Sequence, residues 1–154
     1  MNKRFIVLMT TLVFSVIFSI SSFAYDVEVN GIYYNLISKG NIAEVTNGDK
    51  EYSGDITIPS SIIINEVEYF VTSIGNRAFY NCSSLTSIII PNSVINIRDY
   101  AFQYCFNLIL VIIPNSVTSI GNGAFNGCIK LTSITIPNSV TNIGFFAFSS
   151  CSSL

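Results

Sequence analysis

Apolar and polar positions recur along this chain with a fixed step of 23 residues. Ala-Phe pairs open at Ala78, Ala101, Ala124 and Ala147, and Cys82, Cys105, Cys128 and Cys151 follow in one phase. Leu85, Leu108 and Leu131 come three residues later, and Pro91, Pro114 and Pro137 close an apolar-x-Ile-Pro segment. A period of this length marks a solenoid, in which each unit buries its apolar face only against its neighbours. Within one unit, Leu131, Ile134 and Ile136 are separated by Thr and Ser, and 134 and 136 alternate as in a half-buried strand. Successive units therefore predict a parallel ladder. Pro137 ends the strand because it has no N–H to donate. Asn138-Ser139 makes the turn, and Val140 and Ile143 form a second inward pair. Gly75, Gly121 and Gly144 are expected at positive-φ corners. Arg98 stands at the same phase, where such a corner would cost it about 1 kcal/mol. The i, i+3 and i+4 spacing of Ala147, Phe148 and Cys151 predicts a short helical turn.

Ahead of the array the pattern changes three times. Met1–Ala24 has Lys3 and Arg4, then an apolar run from Phe5 to Ile20, then the small-x-small sequence Ser22-Phe23-Ala24. This reads as a secretory signal peptide cleaved after Ala24, leaving no membrane span in the mature chain. Residues 25–54 show short alternating stretches between the turn signals Asn30-Gly31 and Asn47-Gly48-Asp49, a small β cap over the first coil. Its carboxylates (Asp26, Glu28, Glu44, Asp49 and Glu51) lack the spacing of a calcium loop. Residues 55–77 form a degenerate repeat. Pro59 precedes Pro91 by 32 residues, nine more than the period, and the surplus around Asn65-Glu66 predicts a projecting hairpin. Residues 78–154 carry the regular repeats, the last of them incomplete at Leu154.

The same alternation selects an outward face. Thr86, Ser87 and Ile89 point outward in one coil, Ile109, Leu110 and Ile112 in the next, then Thr132, Ser133 and Thr135. The middle coil thus shows three apolar residues where its neighbours show mainly hydroxyls. Ile89, Ile109, Leu110 and Ile112, with Thr132 and Thr135 at the rim, are the candidate protein-binding residues. A second, aromatic set lies near the turns. Of these, Tyr100 and Phe145 hold variable positions, while Phe106 and Phe146 read as core.

Composition narrows the chemistry. Half the residues are hydrophobic, a tenth are charged, and there is no histidine. The missing imidazole removes Ser/His and Cys/His nucleophilic pairs and the usual neutral-pH acid/base group. The regular repeats carry Asp99 alone among acidic residues, so no catalytic or metal-binding set is legible and no cofactor is implied. Basic residues are scattered and the net charge is −2, which leaves no nucleic-acid footprint. Four cysteines in an exported chain suggest disulfides, yet one per coil in identical phase gives parallel side chains, not converging ones. They read as a buried, reduced column.

The Leu-x-x-Ile-x-Ile strand resembles that of leucine-rich repeats. With the Ala-Phe-x-x-Cys turn, the Ile-Pro-Asn-Ser-Val step and the Ile-Gly before the next Ala-Phe, residues 55–154 resemble the BspA-like leucine-rich repeats of exported proteins. The expected fold is a β-rich solenoid of leucine-rich-repeat type with short helical turns and a small N-terminal β cap. The resemblance implies a secreted or cell-surface, non-enzymatic binding module engaged in adhesion or host interaction. Its partners would be proteins, host matrix or surface proteins among them. The alternative is the repeat or spacer portion of a longer surface protein, or of an exported enzyme with its catalytic domain beyond residue 154. Self-association through the open C-terminal coil is a further expectation.

Overall fold

Coils stack on one another through three backbone ladders, and these convert the sequence period into a physical rise. The computed structural model describes residues 4–8, 15–19 and 25–154. The first ladder joins β6 (Gly54–Thr57), β9 (Leu85–Ile89) and β11 (Leu110–Ile112) in parallel, with Leu110 beside Ser87 and Ile112 beside Ile89. Leu131–Ile136 is expected to extend it but forms no strand.

The second ladder runs through β8 (Val67–Ile74), β10 (Asn96–Ile97), β12 (Ser119–Ile120) and β13 (Asn142–Ile143), again parallel. Its N-terminal end is the cap. There β3 (Val27–Val29), β4 (Ile32–Ile37) and β5 (Ile42–Thr46) form an antiparallel meander, and β5 pairs in parallel with β8. β1 (Arg4–Leu8) pairs with β3 and with β2 (Ser15–Ser19). The cleavage point expected after Ala24 lies outside the described residues. β7 (Ser61–Ile64) folds back on β8 through Asn65 and Glu66, both at positive φ. Two consecutive residues of that conformation give the turn whose twist matches a hairpin.

The third ladder replaces the predicted helical turns. The Ala-Phe segments are successive tight turns, and the described residues contain no helix. Within a coil, Ala78 N–H reaches Gly75 O and Cys82 N–H reaches Phe79 O. Alternate N–H groups point to the next coil instead: Arg77 to Asp99 O, Phe79 to Ala101 O and Asn81 to Gln103 O, at 2.7–3.0 Å. Positive φ recurs with the repeat at Arg77, Tyr100, Gly123 and Phe146, and again at Asn81, Tyr104, Gly127 and Ser150. The cost of this conformation in non-glycine residues, about 1–2 kcal/mol each, is offset by the inter-coil bonds it permits.

Gly75, Gly121 and Gly144 are not at positive φ, contrary to expectation, and neither is Arg98. Glycine serves close approach here. A Cβ on Gly121 would stand 2.5 Å from Asp99 N, and one on Gly144 2.4 Å from Asn122 N. Beside them runs a side-chain ladder: Asn76 Oδ1 accepts Asp99 N–H, Asp99 Oδ1 accepts Asn122 N–H, and Asn122 Oδ1 accepts Phe145 N–H.

The core is a column of rings. Phe79, Phe102, Phe125 and Phe148 stack with centroids 5.0–5.4 Å apart and planes within 9°. Tyr52 continues the column into the cap at 4.4 Å from Phe79, followed by Tyr33 and Tyr25. Tyr52 is anchored by its hydroxyl, which donates to Thr46 O and accepts Tyr33 N–H. The cap and the array therefore share one hydrophobic core.

Candidate functional site

Along the first ladder each coil buries a leucine, turns the next two residues outward, and then alternates. Leu85, Ile88 and Ile90 face the core in one coil, and Leu108, Val111 and Ile113 in the next. The alternate set is turned out: Ile89, Ile109, Leu110 and Ile112 are each about half exposed. The pairing of β9 with β11 places Ile112 directly beside Ile89 and Leu110 beside Ser87. Neighbouring strands lie about 4.8 Å apart, so the apolar residues form one contiguous patch. Thr132, Ser133 and Thr135 of the following coil are exposed as well, but from an irregular segment. Toward the cap the patch ends at Asp55, whose Oδ1 accepts both Thr86 Oγ1–H and Ser87 Oγ–H at 2.7 Å. Those bonds, Ser87's first, hold the Asp55 carboxyl below its ordinary range.

The turns of the third ladder carry the aromatic set. Arg77 sits over the rings of Tyr80 and Tyr100, 5.8 and 5.6 Å from their centroids. Tyr104 packs against Tyr80 and Phe106, both at 5.8 Å. Phe106 and Phe146, expected in the core, are exposed, as is Phe145. For Phe146 the position explains why. Phe148 fills the coil centre, and Phe146 occupies the positive-φ corner, which turns its side chain away from the ring column. That exposure thus comes from a backbone conformation that residue spacing does not disclose.

Among the described residues no cluster of three or more His, Cys, Asp or Glu side chains is placed to hold a metal, and no helix is long and apolar enough to cross a membrane. The four cysteines are free and buried. Burial pushes the Cys82 thiol up to about 11 and that of Cys128 up to about 12, the reverse of what a nucleophile requires. A polar furrow runs over Gly121 between the second ladder and the Asn76–Asp99–Asn122 series, and its carboxylate, Asp99, accepts the backbone N–H and the side-chain amide N–H of Asn122.

These features have counterparts among solved structures. A leucine-rich repeat protein from Bacteroides ovatus superposes with a TM-score of 0.77 at 35% identity over 82% of this chain, which spans about a third (33%) of that protein. One from Bacteroides capillosus matches at 0.68 and 31% identity, covering 80% of this chain and 88% of the other. The T. pallidum leucine-rich repeat protein matches at 0.62 and 25%, covering 80% and 66%. No curated protein matches the chain. The model of the BspA-type leucine-rich repeat region matches residues 52–154 in six copies. With two-thirds of its length in that array, and the Phe column, Cys column and parallel ladders that the repeat builds, the chain belongs to the BspA-type leucine-rich repeat family.

Proposed function

We propose that this protein is an exported, non-enzymatic binding module that engages a protein partner through the exposed face of its first ladder. One observation carries the reading: Ile89, Ile109, Leu110 and Ile112 form a single apolar patch on a rigid parallel sheet, bordered by the hydroxyls of Thr86, Ser87, Thr132 and Thr135. Patches of this kind on otherwise polar surfaces mark contact sites, and interfaces combine an apolar centre with a polar rim. Export is supported by the leader-like Met1–Ala24 sequence, and the repeat family is one typical of surface proteins. Adhesion or host interaction is the role that such a placement serves.

The test is a direct one. The double variant Leu110→Ser with Ile112→Ser is expected to abolish binding to immobilised extracellular-matrix proteins that retain the unaltered chain. Thermal stability should change little, since exposed substitutions usually fall within about 0.5 kcal/mol. Undiminished binding by the double variant would move the site elsewhere.

A further inference from the structure

Gly123 interrupts a column of side chains on the turn edge. The same phase holds Arg77, Tyr100 and Phe146 in the other coils, all at positive φ. The Tyr100 ring leans across the gap, so that a Cβ on Gly123 would lie 2.8 Å from its Cδ1. Beyond the gap stand Phe145 and Phe146, 80% and 76% exposed. Between them lies an open cleft of about 430 Å³, with Gln103, Asn122 and Asn126 along its side.

Two properties of this cleft define what it fits. No charged side chain lines it, so a neutral ligand is favoured. Its three carboxamides also differ in hydrogen-bonding state. Asn122 is committed to Phe145 N–H and Asp99. Gln103 and Asn126 are half-buried and make no side-chain hydrogen bond among the described residues. Each offers an acceptor oxygen and two donors. A ligand here must bring a flat apolar face for the rings and groups that both donate and accept for the amides.

We infer that the Tyr100–Phe146 cleft binds a neutral glycan. A pyranose has a C–H face that lies on an aromatic ring and rim hydroxyls that each donate and accept. A proline-rich segment also packs on aromatic grooves, but its prolyl carbonyls only accept. It would leave the oxygens of Gln103 and Asn126 desolvated without a donor, which is costly. The cleft shares no residue with the Ile89–Ile112 patch, so it is a second site, independent of the protein-binding face.

The experiment titrates the full chain with maltohexaose, cellohexaose, mannohexaose and laminarihexaose, with deca-proline as the competing class, by calorimetry. Saturable binding of at least one hexasaccharide is expected. Phe146→Ala, Gln103→Ala and Asn126→Ala should each weaken it by about tenfold, the effect of one stacked ring or one buried hydrogen bond. Phe146→Tyr should retain it, and Leu110→Ser should leave it unchanged. These side chains are exposed or half-buried, and an unaltered thermal midpoint in each variant separates lost binding from lost fold. Failure of all four sugars to bind, binding that survives Phe146→Ala combined with Asn126→Ala, or binding of deca-proline alone would each overturn the inference.

Discussion

Cys128 Sγ donates to the main-chain oxygen of Phe102, 3.2 Å away and 26 residues earlier in the chain. Cys105 does the same to Phe79 O at 3.0 Å, and Cys151 to Phe125 O at 3.1 Å. Each of these carbonyls also accepts the N–H of the cysteine in its own coil, so both lone pairs are used. The thiol is thus a small buried hydrophobe with one donor, placed where serine would add polarity and alanine would leave the carbonyl with one bond fewer.

The first prediction concerns reactivity. Folded protein should resist iodoacetamide, because burial raises the thiols and leaves almost no thiolate at neutral pH. Cys151, in the outermost coil and the least enclosed of the four, should react first. In guanidinium all four should be alkylated, with a mass shift of four adducts. Recovery of two disulfides from protein purified without reductant would contradict the column.

Alkaline stability follows from the same groups. The Cys128 thiol goes from an ordinary 9.0 up to about 12, and Cys82 up to about 11, chiefly through desolvation. Above the unfolded value the unfolded chain sheds protons that the native chain retains, so unfolding becomes easier as pH rises. The contribution is complete below pH 9 and disappears between pH 9 and about 12. Tyr25, raised to about 12 by burial and by its hydrogen bond to Asp49, acts in the same direction from its ordinary 10.0. Thermal midpoints measured from pH 7 to 11 should be level at first and fall beyond pH 9. A midpoint that rises in that range would be inconsistent with these environments.

Removing one ring tests the column as a structural element. Phe102 has no exposed surface and stacks on both Phe79 and Phe125 at 5.0 Å. Phe102→Ala should cost about 3–5 kcal/mol by the usual sum of transfer and cavity terms. Phe148→Ala should cost clearly less, since Phe148 is only partly buried and stacks on Phe125 alone. Urea unfolding of both variants checks the order. Equal losses would mean that stacking between coils adds little to simple burial.

Much of this was legible in the sequence because the period carries it. Phase alone places Phe79, Phe102 and Phe125 in one column, and alternation alone turns Ile89 outward and Ile88 inward. The turn backbone was not legible. Ala147, Phe148 and Cys151 share an i, i+3, i+4 spacing with a helix, but alternate N–H groups in this segment bond to the next coil, and spacing cannot report a partner one period away. The glycines misled for a related reason. Gly121 reads as a φ requirement, whereas its constraint is the backbone of Asp99 lying against it. Phe146 reads as core in the sequence, whereas its left-handed φ turns it to the surface.

The two kinds of glycine lead to a final prediction. Gly121 has ordinary backbone geometry, and a Cβ there would meet Asp99 N at 2.5 Å and Arg98 C at 2.6 Å. Those atoms are main chain and cannot swing aside. Gly121→Ala must push two coils apart, straining Gly121 N–H to Ile97 O and Asn122 N–H to Asp99 Oδ1, now 2.8 and 2.7 Å. About 1–3 kcal/mol is the expected loss, as for overpacking elsewhere. Gly123→Ala meets a ring that can rotate away, and its φ of 56° costs about 1 kcal/mol. Arg98→Gly is the converse case. Arg98 holds the Gly121 phase over Gly75, and its Nε reaches Glu44 Oε2 at 2.7 Å across that glycine. Because Arg98 is half exposed and Glu44 also accepts Ser73 Oγ, the pair contributes little, and the change should cost no more than about 1 kcal/mol. Denaturant unfolding should therefore find Gly121→Ala the most damaging of the three. If Gly123→Ala proves worse, backbone conformation rather than coil spacing governs these positions.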